Sequence, residues 1–206
     1  MKPEVLSAIE RLEREDTENR AKTGDWPHAK FLEKPEEKML ALHPDTARLA
    51  HMMVQAAGYR NLVEIGVSHG YSTVWLADAA RMTGGKLIAL ENNPRSVDIA
   101  KRNIEDAGLT DSVEFVLGDA LETLPKVQSP IDFCLLDCWE DLYIPCLKLI
   151  APMLRPGGLL FADNVTPGYP DADKYLEALK GYPDLESVFV PIGRDLEASV
   201  KSLEAV

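Results

Sequence analysis

The chain has 206 residues, with 22 Lys and Arg against 34 Asp and Glu and a formal net charge of −12. That length suits one compact domain, and a composition 46% hydrophobic and 27% charged buries a core without disulfide or metal staples. The negative total, with no Lys/Arg cluster, argues against a nucleic-acid backbone or an anionic membrane surface as the main partner.

Cys134, Cys138 and Cys146 are odd in number and lack the paired spacing of a zinc site, which predicts reduced core thiols in a cytoplasmic protein. The opening MKPEVLSAIERLERED has no apolar signal region, and no apolar run is long enough to span a bilayer, so the expectation is a soluble, unexported chain.

In the first segment Val5, Leu6, Ile9 and Leu12 recur at helical spacing on a polar background, predicting a surface helix whose stripe packs on the body or on a second copy. The breaker-rich stretch Thr23 to His28 follows. A second helix is expected from Pro44-Asp45 to Gly58, a natural C-cap.

From Asn61 short apolar runs alternate with helical patterns: LVEIG (62–66), KLIALE (86–91), VEFVLGD (113–119), IDFCLLD (131–137) and GLLFAD (158–163). Such nearly continuous runs fit parallel strands covered on both faces. Between them, Asn93-Pro94 starts a helix carrying Val97, Ala100 and Ile104 and ending at Gly108. The last part, LESVFVPIGRDLEASVK, predicts two strands about a turn at Gly193-Arg194-Asp195. The fold class is α/β: a Rossmann-like, doubly wound, mostly parallel seven-stranded sheet with an antiparallel C-terminal hairpin.

Ligands of such sheets bind beyond the carboxyl ends of the strands, so the strand ends are the candidate site. The first continues into Gly66-Val67-Ser68-His69-Gly70-Tyr71-Ser72, where Gly66 permits a tight turn and Gly70 close approach to a ligand at a helix N-terminus. The second ends in Glu91, twenty-one residues after Gly70, the separation expected of an acid that accepts ribose hydroxyls. Asp119, after the third, either meets an adenine amino group or caps the next helix. Asp137 ends the fourth strand and Asp163-Asn164 the fifth, and two carboxylates with an amide oxygen form a hard set suited to Mg²⁺. Asp163 and Asn164 alternatively organise the Thr166-Pro167-Gly168 turn.

These residues carry a resemblance. VEIGVSHGYST (63–73) resembles the first motif of class I S-adenosylmethionine-dependent methyltransferases, and LDCWEDLYIPCLKLI with MLRPGGLLFADNVTPGYPD resembles the catechol and caffeoyl-CoA O-methyltransferases, over about Lys34 to Lys201. The resemblance implies that Glu64, Gly66, Ser68, Gly70, Tyr71 and Ser72 belong to the loop holding the methionine part of the cofactor. Glu91, with Asn92 after it, matches the ribose clamp. Asp119, Ala120 and Trp139 surround the adenine, and Asp137 also borders the cofactor. Asp137, Asp163 and Asn164 match the three protein ligands of a divalent metal. His43 falls in the segment that covers the cofactor, or else simply enters the helix before Pro44. A homodimer is implied as well.

One position departs from the pattern. Catechol-active members carry a lysine base after the tryptophan, and here that residue is Glu140, with no lysine before Lys148. Glu140 is then either the base, beside Asp137 as the metal-bearing catalytic residue, or an exposed acid favoured at a helix start. The expected activity is metal-dependent transfer of a methyl group to a hydroxyl of a catechol-like small molecule. The alternatives are a cofactor-binding protein that does not catalyse, an amine-directed methyltransferase and a dinucleotide oxidoreductase. The third glycine of the dinucleotide fingerprint is missing, which speaks against the last. Trp26, Phe31, Tyr143 and Tyr169, with the loop from Pro167 to Asp173 and the hairpin, are candidates for the acceptor pocket.

Overall fold

The computed structural model describes residues 1–24 and 33–203, so Trp26 and Phe31 lie outside the described residues. In chain order the elements are α1 (Pro3–Thr23), α2 (Pro44–Ala57), β1 (Asn61–Ile65), α3 (Tyr71–Thr83), β2 (Lys86–Glu91), α4 (Pro94–Asp106), β3 (Val113–Leu117), α5 (Ala120–Thr123), β4 (Ile131–Leu136), α6 (Tyr143–Met153), β5 (Leu154–Ala162), α7 (Pro170–Leu179), β6 (Leu185–Val190) and β7 (Leu196–Lys201). The strands form a seven-stranded sheet in the order β3-β2-β1-β4-β5-β7-β6. β1 to β5 run parallel, while β7 pairs antiparallel with both β5 and β6.

Burial on two faces explains the continuous apolar runs. On β4, Phe133 and Leu135 join the core that also holds Val5, Trp75 and Ile104 of α1, α3 and α4. Cys134 and Leu136, pointing the other way, join Leu147 of α6 and Tyr175 of α7. Cys134 and Cys146 are buried, Cys138 is half-buried, and all three are free thiols. β3 and β6 are sheet edges, which is why their side chains are far more exposed than those of β1 or β4. β5 begins at Leu154, ahead of the run at Gly158, because the chain already pairs with Ile131 before a register shift.

The stripe on α1 is absorbed by the chain itself. Val5, Ala8, Ile9 and Leu12 are buried in the first core, and Arg11 donates to Asn103 (3.0 Å) and Asp106 (3.1 Å) on α4. The stripe therefore gives no reason to invoke a second copy. Among the described residues, no helix is long and apolar enough to cross a membrane.

The strand order reverses between β1 and β4, since β2 and β3 lie on one side of β1 and β5 on the other. A crevice forms at such a switch point, beyond the carboxyl ends of the two strands.

Candidate active site

A cavity of about 480 Å³ opens at that switch point, lined from all five parallel strand ends. Its floor is the turn after β1. Gly66 has φ 93°, and a Cβ there would lie 1.9 Å from the backbone oxygen of Asp137, so β1 and β4 approach too closely for a side chain. Asp137 N–H donates to the Ile65 carbonyl (3.0 Å), which fixes Asp137 beside the loop.

Glu91 ties the loop together. One carboxylate oxygen accepts from Val67 N–H (3.0 Å) and Ser68 N–H (3.1 Å), and the other from Asn92 and Asn93 N–H (both 2.9 Å). A carboxylate offers about four lone-pair sites, so the backbone already engages it fully. Glu91, Asn92, Ser68 and Ser72 line the cavity, as do Asp119 and Ala120 after β3. Asp119 is also the cap of α5, accepting from Leu121 N–H at 2.8 Å, so its two sequence readings coexist.

Asp137 and Asp163 stand on adjacent strand tips, because Leu136 pairs with Ala162 and Asp163 N–H donates to the Leu136 carbonyl (3.1 Å). Burial, reinforced by the facing Asp163 carboxylate, pushes the Asp137 carboxyl well above its ordinary range. Burial pushes Asp163 up to about 6, opposed by the nearby Arg194 and a backbone hydrogen bond. Asp163 is 1% exposed, and its Oδ1 is buried without a hydrogen-bond partner. Asn164 (φ 58°) turns its amide towards Asp137, with Nδ2 3.4 Å from Oδ1. Two crowded carboxylates, one with an orphaned oxygen, and an amide oxygen available on rotation form a donor set that fits a hard divalent cation. No group of three His, Cys, Asp or Glu side chains gathers among the described residues. The third donor here is an amide.

A family described as "Methyltransferase domain" matches residues 63–165, half of the chain. Catechol O-methyltransferase from Sus scrofa is 32% identical over 143 residues, covering 66% of this chain and 76% of that protein. The chain belongs to the catechol O-methyltransferase family. Relatives named catechol O-methyltransferase from Niastella koreensis (32% identical, 61% of this chain) and Bos taurus (37%, 58% of this chain) are covered over 58% and 46% of their own lengths. The chain thus spans about half the length of these relatives. The solved O-methyltransferase from Bacillus cereus in complex with SAH is 25% identical, with a TM-score of 0.76 over 95% of this chain and 91% of that one.

Four residues assigned to the cofactor by their place in the family's motifs sit elsewhere. Glu64 is fully buried beneath the loop, accepting from Ser72 Oγ (2.5 Å) and Thr73 Oγ1 (2.7 Å), and burial raises its carboxyl to about 7. Gly70 meets helix α4 rather than the cavity: its φ is 84°, and a Cβ would lie 3.0 Å from the Ala100 Cβ. Tyr71 is buried and donates to Glu13 (2.8 Å) on α1, away from the cavity wall. His43 caps α2, its Nδ1 accepting from Asp45 N–H at 3.2 Å, and it too is off the wall.

The cover over the loop comes from His43's neighbours. Leu40 and Ala41 line the cavity, and Leu40 N–H donates to Ser68 Oγ (3.1 Å). Glu36 holds this segment to the rim through Arg95 (2.5 Å) and Asn93 (3.3 Å). Sequence spacing could not find Leu40, since it precedes α2 in a segment without regular periodicity.

At the other end, Trp139 is 39% exposed and Glu140 is exposed, both on the cavity wall. Lys148 lies within α6 and is exposed away from the wall, so it does not replace the lysine of catechol-active members. Tyr143 is buried beneath the site, donating to the Asp163 carbonyl (2.8 Å), and Tyr169 is 66% exposed at the start of α7. The sequence reading named the hairpin as part of the acceptor pocket without singling out Arg194, which reaches the wall from the β6–β7 turn.

Proposed function

We propose that the chain transfers a methyl group from S-adenosylmethionine to a hydroxyl of a small-molecule acceptor, with Mg²⁺ or another divalent cation held by Asp137, Asp163 and Asn164. The observation that carries the reading is the buried, unpartnered Asp163 Oδ1 facing Asp137 at the switch point, beside a glycine-floored loop. When bound, the cation acts as a Lewis acid favouring the ionised acceptor oxygen, and the sulfonium cofactor supplies the methyl group.

The chain's own residues bind and orient. Gly66 keeps the floor of the loop open, and five carboxylates on the wall favour a cationic cofactor. Glu91 serves the ribose by exchanging some of its backbone partners for hydroxyls. Asp119 and Ala120 flank the adenine, with Trp139 closing over it. Glu140, exposed at the mouth, takes the acceptor's hydroxyl proton in place of the absent lysine. Alignment of acceptor oxygen and sulfonium carbon then provides much of the rate. The free thiols suit a reducing, cytoplasmic setting. A homodimer, if formed, uses a surface other than the buried stripe of α1.

Asp137→Ala and Asp163→Ala are expected to abolish metal-dependent turnover of a catechol while cofactor binding stays measurable by calorimetry. Full activity of both variants in chelator refutes the metal role. A second reading, cofactor binding without transfer, is favoured by Glu140 alone. Cofactor affinity with no turnover across vicinal diols, phenols and amines supports it.

A further inference from the structure

Arg194 is the one cationic side chain on the cavity wall among the described residues, a wall that also carries Glu91, Asp119, Asp137, Glu140 and Asp163. It is half-buried, and its guanidinium makes no hydrogen bond and no ion pair within 4.0 Å with any described residue. A partly desolvated guanidinium without a partner is costly, and its planar fork matches a two-oxygen anion.

The fold holds Arg194 where it is. Asp195 (φ 69°) accepts from Val165 N–H (3.0 Å) through its carbonyl and from Thr166 Oγ1 (2.8 Å) through its carboxylate, tying the turn to the loop that carries Asn164. On the other side Gly193 is wedged against α2, since a Cβ there would lie 2.3 Å from Thr46 Oγ1 and 2.7 Å from the His43 Cβ. The arginine's field reaches Asp137 and Asp163 and opposes the rise of both carboxyls, and all three residues line the same cavity.

None of the wall's acids forms an ion pair with it within 4.0 Å. Glu91 is occupied by four N–H groups and Asp119 caps α5. With a divalent cation between Asp137 and Asp163, those two charges are balanced, leaving Glu140 and Arg194 facing the acceptor.

We propose that Arg194 reads a carboxylate on the methyl acceptor, which narrows the substrate class to hydroxylated aromatic acids and rests on the methyl-transfer reading above. A carboxylate offers two oxygens to the fork where an ionised hydroxyl offers one. Glu140 brings no positive charge to the site, and Arg194 supplies the one found on the cavity wall among the described residues.

The test is calorimetric titration of the Mg²⁺- and S-adenosylhomocysteine-loaded protein with 3,4-dihydroxybenzoate and with neutral 3,4-dihydroxybenzyl alcohol. The unsubstituted protein should prefer the acid by about 10- to 100-fold, the range of a charge-assisted pair. Arg194→Gln should erase that preference and leave the alcohol's affinity unchanged, while Arg194→Lys restores part of it. In turnover the acid's KM should rise with kcat little altered. No preference in the unsubstituted protein, or equal weakening of both probes in Arg194→Gln, overturns the proposal. So does an unchanged affinity for the acid with tighter Mg²⁺ binding, which makes Arg194 a counter-ion to the aspartates. Arg194-dependent binding of the acid without methylation of either probe sustains the carboxylate contact at Arg194 and counts against the transfer reading, and with it the bound acid's role as methyl acceptor.

Discussion

Glu64→Gln should make the protein more stable at neutral pH, although it removes a hydrogen-bonded charge. Glu64 is 0% exposed, and burial raises its carboxyl from the ordinary 4.5 to about 7 against the opposing hydrogen bonds of Ser72 and Thr73. At 1.36 kcal/mol per pH unit, that rise corresponds to about 3 kcal/mol. Between about pH 4.5 and 7 the native state binds this proton more tightly than the unfolded chain does. Stability therefore falls as pH rises through that window, and the full cost is reached above it. A glutamine keeps the shape, accepts from Ser72 and donates to Thr73, whose hydroxyl can rotate. Urea denaturation from pH 4.5 to 8 reads the difference between the two proteins. It should be near zero at the acid end and grow to about 3 kcal/mol in favour of Glu64→Gln, with an unchanged m-value. The Asp163 carboxyl, pushed up to about 6, titrates in both proteins and largely cancels. Parallel stability curves, or a variant that loses ground as pH rises, refute the account of a charge buried at a cost beneath the loop.

Three further outcomes follow from the geometry. Gly66→Ala places a methyl group 1.9 Å from the Asp137 carbonyl oxygen and should cost at least about 2 kcal/mol by thermal melting, with loss of cofactor binding by calorimetry. Gly193→Ala pushes the hairpin off α2 and should raise the acceptor's KM several-fold while the cofactor Kd holds; an equal loss of both counts against the wedge. Asp132→Ala strands the N–H groups of Arg60 (2.6 Å) and Asn61 (2.8 Å) and the Arg155 side chain, and should destabilise by about 2–4 kcal/mol in urea unfolding.

The sheet was legible because parallel strands buried on both faces write their burial directly into the chain. LVEIG, KLIALE and IDFCLLD mark β1, β2 and β4 to within a residue or two. β5 was less so: its first residue, Leu154, pairs with Ile131 of β4 ahead of a register shift that no local period encodes. Asp137, Asp163 and Asn164 were found as strand-end polar residues, and the sheet's strand order brings the two aspartates side by side.

By itself the sequence determined the α/β alternation, the glycine turn after β1 and the polar strand ends, because each rests on local chemistry: period, backbone freedom and side-chain charge. Only the tertiary structure decided that the α1 stripe packs on α3 and α4, that Gly70 and Tyr71 serve helix packing, that Leu40 covers the loop and that Arg194 reaches the cavity. Each of those contacts joins residues far apart in the chain or turned by a single backbone angle. Such proximity is set by how layers dock, and no spacing along one strand or helix records it.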